Sequence, residues 1–139
     1  MLGGDYGLRV VQDWDGGDDD AMIALHARRS ADAIAAWRER RGARPLVVVL
    51  TGTDLYRDID SDAAAQRSLQ LADRLLVLQP LGVRRLPAAL RAKVRVSVQS
   101  SAARRALAKT SRHLRALMVG HLRDEKCPQT YFDAALALR

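Results

Sequence analysis

The residues able to do chemistry fall in two short strings, Leu50-Thr51-Gly52-Thr53-Asp54-Leu55-Tyr56 and Val119-Gly120-His121-Leu122-Arg123-Asp124-Glu125-Lys126. Each follows an apolar run and reads as a strand entering a Gly-containing loop, the place where open α/β sheets bind ligands. In the first, Gly52 permits close approach of a ligand to the backbone, and the Thr51 and Thr53 hydroxyls can donate to anionic oxygens. Asp54 can orient a ligand hydroxyl or a basic partner. The plainer alternative is that Thr53 or Asp54 caps the next turn. In the second string Gly120 opens a loop before a helix whose N-terminal amides suit an anion, with Arg123 and Lys126 adding positive charge; the alternative is a loop of ordinary surface charges. His26, Arg28 and Arg29 follow another apolar run. There His26 can carry a proton, and the two guanidinium groups can bind an oxyanion by charge-assisted hydrogen bonds; the plainer alternative is a satisfied structural His beside a solvated loop.

Alternating strand-like and helix-like segments must position these residues. Leu8–Gln12 reads as a strand and Asp13–Asp20 as a turn, with Ala21–His26 a second apolar run. Ser30 is placed to cap a helix whose inner side carries Ala31, Ile34, Ala35 and Trp37, closed by Arg38 to Arg41. Pro45–Leu50 is the clearest strand, apolar throughout and expected to be buried on both faces. Asp62–Leu71 reads as a helix, Arg74–Gln79 as a strand, Pro87–Arg91 as a helical turn and Val94–Val98 as a strand. Strands separated by helices imply right-handed crossovers, hence an α/β fold with a Rossmann-like parallel sheet and flanking helices. Beyond Gln99 the pattern breaks. Residues 101–113 read as an Ala-rich basic linker between a domain at 1–100 and a segment at 114–139, in which Leu114–Val119 is a strand and Pro128–Leu138 a helix with Tyr131, Ala134, Ala135 and Leu138 on one face.

Composition narrows the classes. The 139 residues suffice for one domain with a core, and with 48% hydrophobic but only 4% aromatic residues that core must be aliphatic. The lone Cys127 excludes a disulfide framework or cysteine zinc cluster and suits a reducing compartment; it reads as a plain helix-entry residue. No apolar run reaches the ~18 residues of a membrane span, and residues 1–5 lack the features of a signal peptide. A cytoplasmic protein is expected, without a membrane partner. Residues 1 to 75 carry 10 basic and 13 acidic side chains, whereas residues 76 to 139 carry 13 and 3. From Arg84 to Arg115 there are ten basic residues and no acidic one, a stretch able to meet phosphates. Yet 20 of the 23 basic residues are Arg and few aromatics are interleaved for base stacking, so a solvated or phosphate-facing surface is preferred to nucleic-acid binding. Asp13, Asp15 and Asp18 to Asp20 fit no calcium-loop spacing and read as a solvated turn, not metal ligands. Trp14 and Trp37 read as packing residues. No GxSxG elbow or Walker loop is present.

Several segments together carry a more specific signal: Val10–Gly16, Ala24–Ser30, Leu50–Asp58, Ala72–Leu75 and Val119–Arg123. In order and spacing they resemble the selenosugar synthases of selenoneine biosynthesis, relatives of retaining glycosyltransferases with the GT-B fold, over nearly the whole chain. The resemblance implies transfer of a sugar from a UDP-sugar, typically UDP-N-acetylglucosamine, to selenophosphate, with no metal or cofactor. It makes residues 1–100 the acceptor-side domain, lacking its first strand and helix, and 114–139 the first βα unit of the donor-side domain, so a truncated member is expected. Acceptor contacts fall on Thr51, Gly52, Thr53, Asp54, His26, Arg28 and Arg29. Donor-diphosphate contacts fall on Gly120, His121, Arg123 and Lys126, with His121 where relatives commonly have Arg and Arg123 able to supply that charge. No catalytic residue is assigned. The alternatives are a non-catalytic α/β binding or assembly module, self-associating through incomplete domain edges, and a basic nucleic-acid-binding domain.

Overall fold

The computed structural model describes residues 5–103, 105–106, 108, 111–112 and 116–138. Expectations resting on residues 1–4, the start of the 114–119 strand, or Arg104, Lys109, His113 and Arg115 lie outside the described residues. The chain falls into two compact units, residues 1–100 and 101–139.

The first unit is an α/β layer built on a four-stranded parallel sheet in the order β1-β2-β3-β4, with β1 Met22–Leu25, β2 Leu46–Leu50, β3 Arg74–Val77 and β4 Val94–Val96. Helix α1 (Ala31–Arg41) joins β1 to β2. A π-helical turn (Asp54–Asp58), α2 (Ile59–Ser61) and α3 (Ala63–Leu71) join β2 to β3. Helix α4 (Gly82–Arg85) and a 3-10 turn (Ala88–Lys93) lead into β4. Side chains alternate across the sheet. Ala24, Val48, Leu75 and Val94 stand side by side in register and are buried, as are Leu50 and Val77 in the next row. Onto this face pack Ile34 and Trp37 of α1 and Ala65 and Leu69 of α3. Burying side chains of this size contributes about 1.5–3 kcal/mol each. On the other face Ile23 and Leu25 are 49% and 60% exposed, beside the partly exposed Val47 and Leu76.

Local chemistry sets the boundaries. Gly42 ends α1 at φ 53°, its N–H donating to Arg38 O. Asp62 caps α3, its carboxylate accepting from Ala65 N at 2.8 Å. Ser30 does not cap α1: its hydroxyl donates instead to Leu25 O at 2.7 Å and closes the β1–α1 turn. Asp73 joins two strand ends, accepting from Leu46 N at 2.7 Å and pairing with Arg38 at 2.6 Å. Burial pushes its carboxyl up, but Arg38 and the Leu46 N–H outweigh that and hold it below the ordinary carboxylate range.

Among the described residues two expected strands do not form. Leu8–Gln12 is a strap outside the sheet, with Leu8 and Val10 exposed, and residues 116–119 form no strand. A β-branched run becomes a strand only where a neighbour supplies its backbone hydrogen bonds, and neither segment has one among the described residues. The strand at Val94 also stops early, at Val96, although Ser97 N still donates to Val77 O at 2.9 Å. In the second unit a 3-10 turn (Asp124–Lys126) precedes α5 (Pro128–Ala137), which buries none of its residues. Among the described residues no helix is long and apolar enough to cross a membrane.

Candidate functional site

Parallel strands bring their C-terminal ends to one edge, so the residues after β1 and after β2 become neighbours there. His26 follows β1 directly. Its N–H donates to Val49 O at 2.9 Å, continuing the ladder, but its φ of 74° lies in the left-handed region, disfavoured for a side chain with a Cβ. The imidazole is tucked inward, the residue only 7% exposed. Nε2 lies 3.0 Å from Thr53 Oγ1, and Nδ1 accepts the Arg29 N–H at 3.4 Å. In the neutral ring an accepting Nδ1 puts the proton on Nε2, which donates to Thr53 Oγ1 and leaves the Thr53 hydroxyl proton for another acceptor.

Asp54 fastens the two loops together. It is 0% exposed, and its carboxylate accepts three backbone N–H groups: Ala27 at 3.0 Å, Thr51 at 2.9 Å and Gly52 at 2.9 Å. Its oxygens accept from the backbone that shapes the site and do not cap a helix. Gly52 takes φ 147°, a conformation L side chains rarely adopt, and a Cβ there would meet nothing within 4 Å, so its surface is open. Thr51 is exposed, and Gly52 and Thr53 are half-buried.

One turn further on, Asp58 is the principal residue that the sequence reading did not single out. It is 6% exposed, with Oδ2 at 2.9 Å from Arg28 Nε and 3.9 Å from His26 Nε2, and Oδ1 at 3.1 Å from Arg57 Nε. Burial pushes the carboxyl up, but Arg57 and Arg28 together hold it below the ordinary range. His26 thus sits between two carboxylates, with Asp54 Oδ2 4.0 Å from its Nδ1. The i, i+4 spacing of Asp54 and Asp58 places both on one side of the turn, a signal present in the sequence. Tyr56, whose hydroxyl accepts from Gln79 Nε2 at 2.5 Å, links this turn to the loop after β3.

The first unit therefore brings His26, Arg28, Thr51, Gly52, Thr53 and Asp54 together, with Asp58 and Arg57 added. Arg29 is exposed and joins only through its backbone. The cluster offers hydroxyl, backbone and guanidinium donors at a surface edge, a set suited to an oxyanion. A groove of about 250 Å³ between α1 and α3, reaching Ala35, Ser68 and Leu71, shares no residue with it.

The acidic turn serves the N-terminal edge of the sheet instead. Arg9 bonds to Asp15 at 2.7 Å and Asp19 at 2.5 Å and holds both carboxyls below their ordinary range. Asp18 takes Arg41 at 2.9 Å and Arg44 at 2.8 Å. Trp14 donates to Asp19 at 2.9 Å and meets Trp37 edge-to-face at 5.2 Å, with Arg41 over its ring at 5.8 Å. These Asp residues form a clamp of ion pairs, a finding more specific than the solvated turn expected. Among the described residues no three metal-ligating side chains converge.

In the second unit Gly120, His121, Arg123 and Lys126 are all exposed. Lys126 ends the 3-10 turn, and α5 begins only after Cys127, which is exposed and takes φ 47°. Compared with known proteins, the chain matches no family model and no curated protein.

Proposed function

We propose that the first unit is the acceptor side of a UDP-sugar-dependent glycosyltransferase whose acceptor is selenophosphate. The observation that carries this reading is the convergence of His26, Arg28, Thr51, Gly52 and Thr53 on one strand-end edge, where hydroxyl and guanidinium donors suit a tetrahedral oxyanion. The resemblance of these same segments to selenosugar synthases supplies the identity of the acceptor. In the proposed reaction the acceptor selenium attacks C1 of the sugar, the C1–oxygen bond to UDP breaks, and the electron pair leaves on the diphosphate. Water then cleaves the phosphorus–selenium bond, releasing phosphate and the 1-selenosugar. Arg28, Thr51 and Thr53 hold the phosphoryl oxygens. For the second unit taken by itself, the resemblance implies a diphosphate role for Arg123 and Lys126. The test is incubation of the chain with selenophosphate and UDP-N-acetylglucosamine, read by selenium NMR. Selenosugar is the expected product. Its absence, together with no saturable binding of selenophosphate, would refute the proposal.

A second reading, a non-catalytic assembly module, is favoured by the open sheet face at Ile23 and Leu25. Light scattering after size exclusion tests it: a monomer at high concentration eliminates self-assembly through that face.

A further inference from the structure

Building on the acceptor-site reading, we propose that Asp58 is the positioning residue of this site, anchoring Arg28 so that its terminal nitrogens, together with the Thr53 hydroxyl, meet a tetrahedral dianion of the phosphate class. Asp58 engages Arg28 through Nε at 2.9 Å, and the terminal nitrogens of Arg28 make no bond among the described residues. The Arg28 side chain is 44% exposed while that of Asp58 is 6% exposed, so the pair has a fixed buried end and an open end. The second oxygen of Asp58 is occupied by Arg57 Nε at 3.1 Å, which fixes the carboxylate plane. Asp58 Oδ2 also lies 3.9 Å from the His26 nitrogen that bonds Thr53, so one carboxylate borders both donors.

The charge of Asp58 makes the role decidable by sign. A carboxylate beside an anion site repels the ligand, and neutralising a mere neighbour would tighten binding. A carboxylate that orders a guanidinium fork does the reverse, because an Arg held through Nε presents its remaining donors in a set geometry that a Lys cannot reproduce.

The experiment titrates the full chain and its variants with inorganic phosphate and with thiophosphate, following binding by calorimetry and folding by circular dichroism. Asp58→Asn is expected to bind both anions on the order of tenfold more weakly while remaining folded. Arg28→Lys is expected to lose a similar factor despite keeping its charge. In an Arg28→Ala background, Asp58→Asn is expected to cause no further loss, which separates action through Arg28 from general disruption and keeps the test sound where Asp58→Asn lowers stability. Equal or tighter anion binding by folded Asp58→Asn would overturn the positioning role and leave the acceptor site standing. If the unmodified chain binds neither anion, the acceptor-site reading fails and this role falls with it.

Discussion

Replacing Asp54 by Ala should unfasten the two loops that form the site. The carboxylate takes three backbone N–H groups, from Ala27, Thr51 and Gly52. Ala27 is fully buried, so its orphaned N–H has no water to turn to and costs about 1–3 kcal/mol. Thr51 and Gly52 lie nearer the surface, and each exchange of a carboxylate bond for water costs about 1 kcal/mol. Together the loss is about 3–5 kcal/mol, a large share of the ~5–15 kcal/mol by which domains are stable. For a domain of this size it lowers Tm by roughly 15 °C or more. Asp54→Asn keeps the volume but has one accepting oxygen, and should fall between Ala and the unmodified chain. Urea unfolding followed by circular dichroism measures both, with exposed Thr51→Val as the control that leaves stability unchanged. A loss below about 1 kcal/mol for Asp54→Ala would show that Asp54 does not fasten the loops.

Other outcomes follow from the same geometry. Trp37→Ala, at a fully buried position, should cost about 3–5 kcal/mol in denaturant unfolding. Gly52→Ala should cost about 1–2 kcal/mol in denaturant unfolding through its φ of 147° alone, since nothing crowds the site. Gly82→Ala should cost about 1–3 kcal/mol for a different reason, because its Cβ would lie 3.1 Å from both Leu55 and Val77. Asp58 and Asp73 have folded pKa values below their ordinary ones, so each adds stability above about pH 4 that is lost as pH falls through the folded value. Acid unfolding should therefore be shallower in Asp58→Asn and Asp73→Asn than in the unmodified chain.

The sheet was legible where a strand's pattern was complete in itself. Leu46–Leu50 is apolar at every position and forms the strand as expected, although its second face is only partly covered, with Val47 half-buried, and helix α1 announces itself through Ile34, Trp37 and the closing Arg38 to Arg41. Leu8–Gln12 carries the same β-branched signal yet remains a strap, because pairing depends on a partner that local sequence does not name. At the site, Thr51 to Asp54 and His26 were legible from residue type and position after an apolar run. What each does was not. Asp54 turns inward to the backbone, Ser30 bonds Leu25 instead of capping, and Asp58 joins Arg28 across thirty positions of sequence, a pairing that only the β1–β2 register creates.

The most direct test of the central claim, that the C-terminal edge of β1 and β2 is the oxyanion site, is an amide NMR titration of the full chain with selenophosphate. Saturable shifts concentrated at His26–Ser30 and Leu50–Asp54, abolished in Arg28→Ala, are the expected result. Shifts confined to other segments, or none at concentrations where a phosphate-class ligand should saturate, would contradict it.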